Sequence, residues 1–102
     1  MALDFHILGE KSKRLFGLDD TKLKHLEDVF QKFKQQTGIY IDPYGDLILS
    51  VESQKIIIQI INRWLTQEDL NLDKDKTKSI LVFCGLLTYF SENQIDLELH
   101  GD

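Results

Sequence analysis

Two carboxylates flank Pro-Tyr-Gly in the segment Thr37-Gly-Ile-Tyr-Ile-Asp-Pro-Tyr-Gly-Asp-Leu-Ile-Leu-Ser50. Acids at this spacing could hold a hard cation, or share acid and base work. Sharing that work needs one carboxyl in an apolar setting and the other solvated, a contrast the sequence around Asp42 and Asp46 does not offer. Turn chemistry explains the residues more directly. Pro43 suits the second position of a type I turn, Gly45 the left-handed position after it, and Asp42 can bond back to the turn backbone. With the β-prone runs Ile39–Ile41 and Leu47–Leu49 on either side, the spacing predicts a hairpin tip that binds no metal.

The other reactive side chains are scattered. His6, His25 and His100 fall on three different elements with no i, i+4 pair, and a single cysteine leaves no zinc spacing. Asp73-Lys-Asp-Lys-Thr-Lys-Ser opens like a calcium loop, but Lys78 stands where the turn glycine belongs and Cys84 where the bidentate Glu belongs. The motif reads instead as a helix cap. There is no Gly-x-Ser-x-Gly elbow and no glycine-rich phosphate loop. Cys84, within Ile80-Leu-Val-Phe-Cys-Gly-Leu-Leu87, reads as a buried structural thiol. The expectation is a protein without catalytic, cofactor-binding or metal-ligating residues, and not an enzyme.

Its 102 residues, 42% hydrophobic, suffice for one packed domain. One cysteine excludes an internal disulfide and fits a reducing compartment. Met1-Ala-Leu-Asp-Phe-His is not a signal peptide, and Ile80–Leu87 falls far short of the roughly 20 apolar residues of a membrane span. A soluble cytoplasmic chain is expected. The net charge of −5 is unevenly spread: residues 79–102 hold four acids and no Lys or Arg. Such an end argues against binding nucleic acid there, where charge-neutralising phosphate contacts need Lys and Arg, and suits a basic partner.

The elements that must position these groups follow from periodicity. Leu3, Phe5 and Ile7 alternate with Asp4 and His6, a strand. Gly9–Arg14 reads as a loop with Lys11, Lys13 and Arg14 exposed. Asp19 or Asp20 can cap a helix with an apolar stripe at Leu23, Leu26, Val29, Phe30 and Phe33, stopped by Gly38. After the predicted hairpin, Ser50 caps a helix over 51–66, whose Ile57, Ile60, Ile61, Trp64 and Leu65 share one face. A last helix over 75–91 is apolar nearly all round, which predicts cover on several sides, with Gly85 admitting a close neighbour. The tail Ile95-Asp-Leu-Glu-Leu-His alternates again. The fold expected is a single α+β domain of order β-α-β-β-α-α-β, with a small, mostly antiparallel sheet and helices on one face.

If Leu3, Phe5, Ile7, Ile95, Leu97 and Leu99 face the core, then Asp4, His6, Asp96, Glu98 and His100 face outward. Tyr40, Asp42, Tyr44 and Asp46 can extend that surface, tyrosines as anchors and carboxylates selecting a basic partner. The partner-binding residues expected are Tyr40, Asp42, Tyr44, Asp46, Asp96 and Glu98. The layout, with Leu3-Asp-Phe-His-Ile-Leu-Gly-Glu10 opening, Tyr40-Ile-Asp-Pro-Tyr-Gly-Asp-Leu-Ile-Leu49 in the middle and Ile95-Asp-Leu-Glu-Leu-His-Gly-Asp102 closing, resembles the small cytosolic immunity proteins of bacterial contact-dependent inhibition and related polymorphic toxin systems. The resemblance implies a protein that neutralises a cognate toxin domain, such as a nuclease, by covering its basic cleft; it carries over no individual binding residue. The alternative is a homodimeric structural or regulatory subunit, packed through the isoleucine-rich helix 51–66 or the apolar helix 75–91.

Overall fold

A computed structural model describes residues 2–10 and 12–101; the expectations for Met1, Lys11 and Asp102 lie outside the described residues. The element order is β1 (Ala2–Ile7), β2 (Arg14–Asp19), α1 (Asp20–His25), α2 (Glu27–Thr37), β3 (Asp46–Leu49), α3 (Val51–Gln67), α4 (Lys74–Glu92) and β4 (Leu97–Gly101). The strands form one antiparallel sheet in the order β2-β1-β4-β3. This is the expected α+β domain.

The two strands with the same rhythm are the central pair. Leu3 lies opposite Gly101, Phe5 opposite Leu99 and Ile7 opposite Leu97. Leu3, Phe5, Leu97 and Leu99 are wholly buried, while Asp4, Glu98 and His100 lie on the opposite face, as alternation requires. His6 departs from the expectation of an exposed histidine. It is buried, and its Nδ1 donates to the Lys13 carbonyl at 3.1 Å, holding the β1–β2 connection.

Two expectations are corrected at the sheet edges. Arg14–Asp19 is a strand; the alternation there is broken by Gly17 and by the doublet Leu15-Phe16, and the pairing absorbs this with a register shift between Phe5 and His6. Conversely, Ile39–Ile41 forms no strand and no hairpin, and β3 pairs with β4 instead. The turn itself survives: Gly45 N–H donates to the Asp42 carbonyl at 3.2 Å and Tyr44 N–H to Asp42 Oδ1 at 2.9 Å. Gly45 is not left-handed; the left-handed glycines among the described residues are Gly9 and Gly38. What displaces the expected strand is Ile41, which turns into the core, while the loop docks on the end of β4. There Gly101 N–H donates to the Gly45 carbonyl at 2.9 Å, and a Cβ on Gly101 would overlap the Pro43 carbonyl.

The helices cover one face of the sheet. Side-chain caps start three of them: Asp19 accepts from Lys22 N–H at 2.9 Å, Ser50 from Ser53 N–H at 3.2 Å and Asp73 from Lys76 N–H at 3.1 Å. Gly38, with φ 77°, closes α2. The single helix expected over 20–37 is broken at Leu26, whose N–H is shared between the Lys22 and Leu23 carbonyls. The break turns Leu26, Val29 and Phe33 into the core and lets His25 Nδ1 hydrogen-bond Ser79 Oγ on α4 at 2.9 Å.

Helix α3 buries Ile57, Ile60, Ile61 and Trp64, and Ile56 and Ile58 are partly covered, so its isoleucines leave no free apolar face. Helix α4 lies over β1 and β2: the Phe83 ring meets Phe5 edge-on at 5.8 Å, and Phe90 stacks near Phe16 at 6.3 Å. The expected cover on several sides is supplied by α1, α3 and the sheet beneath, but it stops short of the outer face. Leu81, Val82 and Tyr89 remain exposed on its outer face. Cys84 is half-buried on its flank, and burial pushes its thiol up. Among the described residues, no helix is long and apolar enough to cross a membrane.

Candidate functional site on the uncovered sheet face

With the helices on one side, the other face of the sheet carries Asp4, Glu98, His100, Asp46 and Ile48. Strand register assembles them. Asp46 lies opposite His100, and Ile48 opposite Glu98. His100 Nδ1 sits 3.1 Å from Asp46 Oδ1, and its Nε2 lies 2.8 Å from Glu98 Oε2. A carboxylate at each nitrogen favours the imidazolium, since only that form donates from both. The Glu98 hydrogen bond is the main cause that raises the His100 pKa, with Asp46 adding to it. The His6 ring stands edge-on to His100 at 5.1 Å. On the β2 side, Arg14 donates to Asp4 Oδ1 at 3.3 Å, and the pair lies across Gly17, where a Cβ would crowd both.

The face is an array of ion pairs. Both His100 nitrogens are occupied by carboxylates. No group of three His, Cys, Asp or Glu among the described residues is arranged to hold a metal ion. What the face offers is apolar contact framed by charge: Ile48 is 57% exposed and Tyr44, at the adjoining turn, 69%.

The six residues singled out from the sequence separate into three groups. Asp46 and Glu98 meet through His100, with Tyr44 and Asp42 in the turn beside them. Tyr40 is exposed but belongs to another surface, where the Lys34 ammonium stands 5.0 Å above its ring. Asp96 is only partly exposed and is not the free surface acid expected: its Oδ1 accepts the Val51 N–H at 2.9 Å, at the positive end of α3. Asp4 and His100 were placed on the outward face by alternation but not among the partner-binding residues, and Ile48 was not singled out. Ile48 and the partners of His100 depend on the register of β3 against β4, a pairing that local pattern does not specify.

A separate groove of about 430 Å³ runs between β2, α1 and α4, walled by Phe16, Val82 and Leu86 with Lys22 and Lys78 at its rim. Comparison of the chain with protein-family models, curated proteins and solved structures found no match.

Proposed function

We propose that this protein is a non-catalytic binding domain that uses its uncovered sheet face to cover a basic surface on a protein partner. The observation that supports it is the exposed pair Ile48 and Tyr44 set among the carboxylates Asp42, Asp46, Glu98 and Asp4. Apolar anchors inside a charged frame suit protein recognition: the anchors slow dissociation, and the frame steers and selects. The partner class in best accord with this, and with the layout of the sequence, is a bacterial toxin domain with a basic active-site cleft, neutralised by occlusion in the cytoplasm.

The test is binding to a purified toxin domain encoded beside this chain, followed by stopped-flow at low and high salt. In Asp46→Lys combined with Glu98→Gln, association should slow by about tenfold or more at low ionic strength, and the gap should close as salt screens the charges. Asp96 is left untouched because it serves α3. Unchanged association in the double variant, with protection of cells intact, would remove this face from the interface.

A further inference from the structure

The outer face of α4 presents Lys78, Leu81, Val82, Gly85, Tyr89 and Glu92, all exposed. At about 100° per residue these positions form one stripe, opposite the buried Ile80, Phe83, Leu87 and Phe90. Leu81, Val82 and Tyr89 are 47, 54 and 60% exposed. Scattered apolar residues need no explanation, but three on one helical stripe do.

Gly85 is the second observation. It lies mid-helix, where glycine is the least favourable residue after proline. Its φ is not in the left-handed range, and none of the described residues would lie within 4 Å of a Cβ there. Neither backbone conformation nor intramolecular packing requires a glycine here. A close approach from outside would.

The stripe is also symmetric about Gly85. Leu81 and Tyr89 lie four residues to either side of it, and Lys78 and Glu92 seven. We infer that α4 packs antiparallel against α4 of a second copy of this chain, crossing at Gly85. In that arrangement Leu81 of each copy lies against Tyr89 of the other, and Lys78 against Glu92, so the surface is self-complementary as a two-fold axis demands. Parallel packing would set Lys78 against Lys78 and Glu92 against Glu92. The charges therefore select both the orientation and a second copy as the occupant. The dimer leaves the uncovered sheet face free, because α4 lies on the opposite side of the sheet.

Sedimentation equilibrium from about 5 µM to 1 mM tests this, with a dissociation constant expected on the order of 10–100 µM, since one helix face is smaller than a standard interface. Gly85→Gln adds bulk at the crossing without touching the fold; it should raise that constant about tenfold or more while the melting temperature of the dilute protein does not fall. Lys78→Glu and Glu92→Lys should each weaken the dimer, and the two combined should restore it to within about threefold of the parent, because the exchanged charges again face each other. A single-chain mass at every concentration overturns the inference and leaves the α4 face to a different protein. So does a dimer indifferent to Gly85→Gln, or a combined variant no tighter than the single ones.

Discussion

Helices α3 and α4 are of similar length, 17 and 19 residues, and both are rich in large apolar side chains, yet they are used differently. Helix α3 packs between α2 and α4, and its exposed residues, among them Glu52, Lys55, Gln59, Asn62 and Arg63, are all polar. It is also tied at its first turn from two directions. Asp96 accepts its first N–H, and the buried Gln54 amide donates to the Leu49 and Ile95 carbonyls at 3.1 and 2.8 Å. Among the described residues, helix α4 has α1 and α3 on its flanks and the sheet beneath, while Leu81, Val82 and Tyr89 on its outer side stay exposed. Apolar content alone therefore does not say how deeply a helix is buried. The polar stripe does: α3 has one and α4 largely lacks one.

The sharpest way to break this contrast is to truncate one aliphatic side chain on each helix. Ile61→Ala, at a wholly buried site on α3, should lower stability by about 2–5 kcal/mol in urea denaturation. Leu81→Ala, on the exposed stripe of α4, should change it by less than about 0.5 kcal/mol in dilute solution. Similar losses at the two sites would mean that the outer face of α4 is covered within the chain.

Next in size is the tie between β4 and α3. Asp96→Ala leaves the Val51 N–H without its carboxylate and should cost about 1 kcal/mol, with early amide exchange confined to the first turn of α3. A loss near zero would return Asp96 to the pool of free surface acids. Asp96 also illustrates the limit of reading faces by alternation. Its period places it outside the sheet core, and so it is. But it precedes β4, where the chain is already turning past α3, and the partner that occupies it lies 45 residues away.

The same limit accounts for most of what the sequence concealed. Caps were legible because an N-cap oxygen and the N–H that donates to it lie three residues apart: Asp19, Ser50 and Asp73 act as their spacing says. The inward faces of β1, α3 and β4 were legible because each alternates or repeats cleanly. Strand β2 was hidden because Gly17 and the register shift at Phe5/His6 erase its period, and the run at Ile39 looked like a strand because propensity cannot see that Ile41 is drawn into the core. The site was half legible for a related reason. Asp46 and Glu98 were named as acids, but the His100 bridge that joins them depends on β3 pairing with β4 rather than with 39–41.

The smallest expected effect bears on the contrast most directly. Gly85→Ala places a methyl group out of reach of every described residue, on a helix that gains from it. In dilute solution the variant should be more stable by about 0.5–1 kcal/mol, chiefly because the unfolded chain has less freedom to lose. As concentration rises, the parent should gain stability by mass action if α4 pairs at Gly85, and the variant should gain less because its helices are held apart. The advantage of alanine should therefore shrink between micromolar and millimolar protein. A gain that stays constant across that range would mean that nothing approaches Gly85, and that α4 differs from α3 only in leaving its outer side to water.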